Sequence, residues 1–319
     1  MSDLRIYSNQ FYPIHCKVNR TSTNPNFKSK PVENPEIVEK LPQKTQAKNK
    51  KQKVLAGLAL VTVVGIVGVK SYRSYYINKA QKTFKEVFMR DNITKDETIK
   101  ILKRYKEIEK IKDKEKYAKA IFEEAKKNFG FENKPISFMI KDLPDSKARG
   151  GCSKFNDFIE TDLKKGNREG LLEHIHHEFR HAKQHEITFN QFPEYAEESF
   201  MKKFIFSDEF IEIGTGEMHK LSREWVLNGA KPDDEIYSRL KNEYKNEVQK
   251  LIKNYIGDLS PDNVPQKYKE FAKKCQENQR NYIDIDKDEE KYLKQFVEED
   301  ARTAAGKIAK LLKNFIIPV

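Results

Sequence analysis

LLEHIHHEFRHAKQHE, residues 171–186, holds five of the seven histidines in this 319-residue chain. A helix turns by about 100° per residue, so side chains three or four residues apart share one face. One such face is entirely apolar and consists of Leu171, Leu172, Ile175, Phe179 and Ala182. The pattern predicts an amphipathic helix whose apolar face packs against a hydrophobic core.

The other side of this helix carries most of the histidines. A second face holds His174, His177, His181 and His185. The side chains that point away from both faces, and that we expect to meet solvent, are His176, Arg180 and Lys183. His185 lies about 12 Å along the helix axis from His177, too far for both to bind one ion. We therefore expect His174 and His185 to line a cleft or to lie on the surface.

HEFRH, residues 177–181, has the form H-E-x-x-H. Two imidazoles four residues apart are neighbours on one helix face and can bind a single Zn²⁺ ion. Glu178 would lie beside that ion without binding it, where it can act as a general base toward water. His177 and His181 are therefore the predicted metal ligands, and Glu178 is the predicted catalytic residue.

A catalytic zinc ion needs a third protein ligand, which we expect to be Glu298. This residue lies in YLKQFVEEDARTAAGKIAKLL, residues 292–312, a predicted helix. Glu298 falls at the edge of its apolar face, beside the small residues Ala301 and Ala305, whereas Glu299 points away. The alternatives that remain open are Glu194, Glu197, Glu198 and His219.

The combination of HEFRH and a later EEDA resembles the zincin metallopeptidases, and among them the gluzincins, in which HExxH precedes a distant E-x-x-A. The resemblance covers residues 134–187 and 291–312. It implies a zinc peptidase with His177, His181 and Glu298 as ligands. It also implies that an edge strand before the active helix, here within residues 153–163, aligns a peptide substrate by strand addition.

Beyond the metal motif, the chain is predicted to be α+β and predominantly helical, with a small sheet inside a zincin-like core. Strands are expected within residues 134–143 and 153–163. Thr94 and Asp113 are the expected N-caps of two helices, and Gly130 the expected helix stop. The predicted divisions are a helical stalk over residues 71–130 and a metallopeptidase domain over residues 131–319, with a helical insertion at about 205–285.

Two segments precede the stalk. Residues 1–53 are polar and basic and are predicted to be a disordered tail. VLAGLALVTVVGIVGV, residues 54–69, is uncharged between flanking lysines, and it predicts a single transmembrane helix over residues 54–70. Residues 39–53 carry six lysines and residues 70–84 carry four Lys/Arg, which favours an extracytoplasmic catalytic domain.

The charge of the chain argues against nucleic-acid binding. Residues 1–70 contain twelve Lys/Arg and four Asp/Glu, so +8 of the net +12 lies there. The remainder therefore lacks the basic excess of a nucleic-acid-binding domain. Cys16, Cys152 and Cys275 have no zinc-finger or redox spacing, and a Cys152–Cys275 disulfide is conceivable only outside the cytoplasm.

These features together predict a membrane-anchored zinc metalloendopeptidase that acts on a peptide or protein substrate. Zinc-activated water would attack the peptide bond, with Glu178 as general base. The alternative is a membrane-tethered scaffold without catalytic activity, whose Lys- and Glu-rich helices bind a partner. In that case the histidines would hold a structural metal ion or none.

Overall fold

The structure, a computed structural model, describes residues 72–143, 149–165, 167–205 and 235–314. Of the described residues, those up to Ala80 belong to one compact unit and those from Gln81 onward to a second, larger unit. The predicted tail and the predicted transmembrane segment, residues 1–53 and 54–70, lie outside the described residues. Within the described ranges, no helix combines the length and the apolar character that a membrane crossing requires.

The fold is α+β and predominantly helical, as the sequence predicts. The helices are α1 (72–88), α2 (Lys95–Ile108), α3 (Lys114–Asn128), α4 (Arg168–Gln191), α5 (Pro193–Ile205), α6 (Glu235–Glu243), α7 (Lys245–Tyr255), α8 (Gln266–Arg280), α9 (Glu289–Leu293) and α10 (Phe296–Lys313), with a 3₁₀ turn at Pro261–Asn263. The strands are β1 (Ser137–Ile140), β2 (Gly150–Cys152) and β3 (Phe158–Thr161).

The ends of α2 and α3 are set by local sequence, and here the predictions are confirmed. The Thr94 side chain accepts the Glu97 backbone N–H at 3.1 Å. The Asp113 carboxylate accepts the Lys116 N–H at 2.7 Å in the same way. Each bond satisfies a first-turn N–H that has no partner within its helix. Gly130 follows α3 with a φ of +85°, a conformation that glycine adopts without the steric cost of a Cβ.

The sheet differs from the expectation in one respect that matters for function. Its strand order is β1-β3-β2, with β1 parallel and β2 antiparallel to β3. The strand within residues 153–163 is therefore central, and the prediction that it is an edge strand able to pair with a substrate is wrong. The neighbour that covers its edge is β2, a Gly-Gly-Cys segment with little intrinsic strand propensity.

Helix α4, which contains HEFRH, lies at the centre of the larger unit. It packs against α3, α5, α8, α10, β2 and β3. Of its 24 residues, 17 are buried, so it has no wide solvent-exposed face. The expectation that His176 and Arg180 meet solvent is wrong, because α10 and the aromatic residues of preceding helices cover those positions. Of the residues expected to be exposed, only Lys183 stays partly accessible.

His176 and Arg180 are buried, and both have hydrogen-bond partners from other parts of the chain. His176 accepts or donates a hydrogen bond at 2.6 Å to the Tyr105 hydroxyl, and its second nitrogen lies 2.8 Å from the Leu172 carbonyl. Burial lowers the pKa of His176 to about 4, so its ring is neutral at pH 7. Arg180 donates to both carboxylate oxygens of Asp300, at 2.6 and 2.9 Å. Such bidentate pairing satisfies a buried guanidinium.

A second apolar cluster joins α5 to α6 and α7. It includes Phe200 and Phe204 from α5, Leu240 from α6, and Val248 and Ile252 from α7. Helix α8 packs directly against α4 and α10. The described part of the predicted insertion thus shares its core with the elements that carry the metal motif.

Two of the cysteines, Cys152 and Cys275, are both buried and both free thiols. Burial raises the pKa of each thiol. The disulfide considered from the sequence is therefore not formed, and Cys16 lies outside the described residues.

Gly150 of β2 has no room for a larger side chain. A Cβ there would lie 2.1 Å from the Glu160 carbonyl oxygen and 2.6 Å from His174 Nε2, whereas a Cβ at Gly306 in α10 would meet nothing within 4 Å. We expect Gly150→Ala to lower the free energy of unfolding by about 1–3 kcal/mol. Gly306→Ala should raise it by about 0.5–1 kcal/mol through helix propensity. Urea unfolding followed by circular dichroism measures both, and equal stability of the two variants would contradict the packing described.

Candidate metal centre

Three side chains predicted from the sequence meet at the interface of α4 and α10. The Nε2 atoms of His177 and His181 lie 2.8 Å apart. Glu298 Oε2 lies 3.3 Å from His177 Nε2, and Glu298 Oε1 lies 3.4 Å from His181 Nε2. In the described part of the chain, these residues form a group whose potential ligand atoms all lie within 4.8 Å of one another.

The two helices bring these residues together for reasons that the sequence contains. His177 and His181 are one turn apart on α4, so their rings project in the same direction. Glu298 is in the first turn of α10 and is fully buried, whereas the neighbouring Glu299 is exposed. The small residues Ala301 and Ala305 are buried on the same helix, and they allow α10 to pack closely on α4.

The alternative third ligands are placed elsewhere. Glu194 is exposed at the start of α5. Glu197 pairs with Lys241 at 2.7 Å, and Glu198 pairs with Lys202 at 2.7 Å. His219 lies outside the described residues. Of the glutamates considered from the sequence, only Glu298 reaches the two histidines.

A hydrogen-bond network fixes the orientation of His181. Gln184 donates from Nε2 to the Val297 carbonyl at 3.0 Å and to Asp300 Oδ2 at 2.9 Å. Its Oε1 is therefore an acceptor, and it lies 2.8 Å from His181 Nδ1. This arrangement assigns the proton of His181 to Nδ1 and leaves a lone pair on Nε2, which faces His177 and Glu298.

Glu298 is held by two tyrosines. Tyr292 donates to Oε2 at 2.6 Å, and Tyr282 donates to Oε1 at 3.2 Å. Burial alone would raise the pKa of Glu298, but His181 and then His177 outweigh it and hold that pKa well below its usual value. Burial and the charge of Glu298 raise the pKa of Tyr282 far above its usual value, so its hydroxyl stays protonated and remains a donor.

His177 is poised to offer a lone pair. Burial, followed by the neighbouring His181, lowers its pKa to about 4, so the imidazole is neutral at pH 7. Its Nδ1 is buried and has no hydrogen-bond partner among the described residues. A neutral imidazole is the form that binds metal ions.

Glu178 lies beside this group but does not join it. Its side chain is fully buried, and within the described part of the chain neither carboxylate oxygen makes a hydrogen bond of good geometry, although the Cys152 backbone N–H lies close to it. Its Oε1 lies 3.3 Å from His174 Nδ1. Burial and repulsion by Glu298 and Glu160 raise the pKa of Glu178 well above its usual value, against the weaker opposing influence of the Cys152 backbone N–H.

The donor set fits a zinc ion. Bonds of ~2.0–2.1 Å at tetrahedral angles place neighbouring ligand atoms about 3.3 Å apart. The observed separations are 2.8, 3.3 and 3.4 Å, and a small side-chain rotation is enough to bring each to this value. Two imidazoles and one carboxylate supply three of the four ligands that a tetrahedral zinc ion takes, and Glu178 adjoins His177 in sequence.

The structure adds residues that sequence reasoning missed. Gln184 follows His181 by three residues, and this i, i+3 spacing is a usable signal for a second contact on the same helix face. Asp300 lies two residues after Glu298 but is recognisable only through its partners on α4. Tyr282 and Tyr292 carry no sequence signal, because α9 and the segment before it determine where their hydroxyls point.

Comparison of the chain with protein-family models, with curated proteins and with solved structures found no match to any of them.

The geometry predicts metal content directly. We expect the full-length protein to contain about one zinc ion per chain after reconstitution, because three protein donors suffice for a catalytic site. His181→Ala and Glu298→Ala should each lose it, since two donors bind zinc weakly. Glu299→Ala removes the adjacent exposed carboxylate and should keep the metal. Elemental mass spectrometry measures all four proteins, and a wild type without zinc would refute the centre.

The network behind His181 should tune metal affinity. Gln184→Leu removes the acceptor of the His181 Nδ1–H, and loss of such outer partners typically weakens metal binding by about 10- to 100-fold. Gln249→Leu, a change at an exposed residue whose side chain donates to Glu197, is the matched control and should leave affinity unchanged. Competition with a chromophoric chelator gives both dissociation constants. Equal affinities in the two variants would show that Gln184 does not support the site.

Proposed function

We propose that this chain is a zinc-dependent metallopeptidase of zincin-like, gluzincin type. The observation that carries the proposal is the convergence of two imidazoles and a carboxylate from distant helices beside a fully buried glutamate that lacks a well-formed hydrogen bond in the described residues. Carboxylates are not normally left in this condition inside a protein, because an unsatisfied buried polar group is destabilising. A functional requirement accounts for it.

The roles of the residues follow from their positions. His177, His181 and Glu298 would hold the ion, which when bound would polarise a substrate carbonyl and increase the acidity of water. Glu178 would take a proton from the attacking water and deliver it to the leaving amine. His174, 3.3 Å from Glu178, would orient that carboxylate. Gln184 keeps the His181 tautomer in which Nε2 is free to bind the ion.

Strand β2 forms the edge of the described sheet next to α4, and its three residues are buried. Because β3 is paired on both sides, a peptide could extend the described sheet beside α4 only at β2, which packs against that helix. We propose that β2 takes the substrate-aligning role that the resemblance gave to the strand within residues 153–163.

We retain the membrane anchor at residues 54–70 and an extracytoplasmic catalytic domain as parts of the proposal, on the charge and hydropathy of the sequence.

A second function is favoured by the burial of the centre. His177, His181 and Glu298 are 1%, 0% and 0% exposed. An enclosed His-His-Glu group could bind a structural metal ion that clamps α10 to α4, in a scaffold without catalytic activity. This alternative explains the three ligands, but it gives no role to the fully buried Glu178.

Substitution of Glu178 separates the two functions. Glu178→Gln should abolish hydrolysis, with a loss of about a hundredfold or more, because an amide cannot accept the proton of water. Its zinc content should stay unchanged. Glu186→Gln, on the same helix but paired with Lys183, is the control and should remain active.

The measurement uses quenched-fluorescent peptide mixtures and elemental analysis on the same full-length preparations. A Glu178→Gln protein as active as wild type, or a zinc-loaded wild type that hydrolyses none of the mixtures, would favour the structural metal scaffold.

A further inference from the structure

Tyr195 of α5 is the centre of an uncommon arrangement of charge. Its side chain is 5% exposed, and its hydroxyl is buried without a hydrogen-bond partner among the described residues. Two cationic groups lie over its ring, Lys154 Nζ at 4.8 Å and Arg280 Cζ at 5.4 Å from the ring centroid. Two like charges thus converge on one aromatic side chain.

Among the described residues, neither cation has the carboxylate partner that Lys203 and Lys267 have. Lys203 also lies over aromatic rings, but it pairs with Asp157. Lys267 lies over the Tyr268 ring and pairs with Asp91. Neither Lys154 nor Arg280 has a carboxylate within ion-pair distance in the described ranges. The two cations thus share one ring without a carboxylate counter-charge from the described residues, and a bound anion would supply that charge.

The pair belongs to segments that border the metal centre. Lys154 follows β2, two residues after Cys152, whose backbone N–H acts on Glu178. The pKa of His185 in α4 is lowered mainly by burial, then by the neighbouring His181, and to a smaller extent by the charge of Lys154. Lys154 therefore lies near α4. Arg280 ends α8, two residues before Tyr282, which donates to Glu298. Arg280 is exposed and Lys154 is partly exposed, so a ligand can reach both.

We propose that Lys154, Arg280 and the Tyr195 hydroxyl form a subsite for a carboxylate of the substrate. This proposal rests on the proposed peptidase function and specifies its substrate class as peptides with an acidic side chain, or a C-terminal carboxylate, near the scissile bond. The two cations would pair with the carboxylate, and the phenol would donate a hydrogen bond to it. The zinc-bound residues would act on the neighbouring peptide group.

Binding tests the subsite independently of hydrolysis. The probes are fluorescein-labelled peptides that differ only in Glu or Gln at internal positions, each made with a free and with an amidated C-terminus. Fluorescence anisotropy is measured on zinc-loaded, full-length Glu178→Gln protein, which should bind without cleaving. Lys154→Gln/Arg280→Gln is compared with Lys203→Gln/Lys267→Gln, which removes equal charge from two cations that also lie over rings. The double variant Lys154→Arg/Arg280→Lys retains both charges. It shows whether any loss of binding comes from the missing charge or from a disturbed fold.

We expect at least about a tenfold preference for Glu over Gln peptides, the size typical of charged hydrogen bonds. The Lys154/Arg280 double glutamine variant should lose it, while the control and the charge-retaining swap keep it. A preference for free over amidated C-termini instead would identify the terminal carboxylate as the ligand. Equal binding of all peptides, or an equal loss in both double glutamine variants, would overturn the subsite. Selective binding with no hydrolysis by wild type would leave the subsite standing and remove the peptidase function.

Discussion

The larger unit depends on the burial of a helix whose side chains are largely polar. Helix α4 places imidazoles, carboxylates, a guanidinium and an amide where little water reaches, and each such group needs a partner from another element. Asp300 neutralises Arg180 and at the same time accepts from Gln184. Asn156 plays a similar part on the other side of the helix: its amide lies 3.2 Å from His185 and donates to the Ala182 carbonyl. The fold around α4 is thus specified by polar matching as much as by apolar packing.

Local sequence predicted the features that local physics controls. Helical periodicity identified α4 and α10, and side-chain capping located the starts of α2 and α3. The exposure of Glu299 and the burial of Glu298 also followed from position on a helix. The predictions that failed, the exposure of His176 and Arg180 and the edge position of β3, depended on which elements pack beside those residues. A Gly-Gly-Cys segment has no strand signal, yet it becomes β2 because β3 offers it a free edge, and that pairing makes β3 central.

The residues of the candidate centre likewise fall into those that the sequence predicted and those that it did not. The His177 and His181 pair is a property of one helix, and its spacing alone suggested a metal site. Glu298 was favoured over nearer glutamates by its place on a predicted helix face, and the structure brings it to the histidines. Asp300 and the tyrosines were not foreseen, because their hydrogen bonds are made between segments far apart in sequence.

The separation of the donors along the chain has a kinetic consequence. Glu298 follows His181 by 117 residues, and it reaches the histidines only when α10 docks on α4. Contacts of such high sequence separation tend to form late, since the loop between them must first be closed. A nascent or partly folded chain would present only the two histidines and would hold an ion loosely. Under the proposed peptidase function, hydrolytic competence would arrive only with the final docking step, and the unfolded chain would be spared premature self-cleavage.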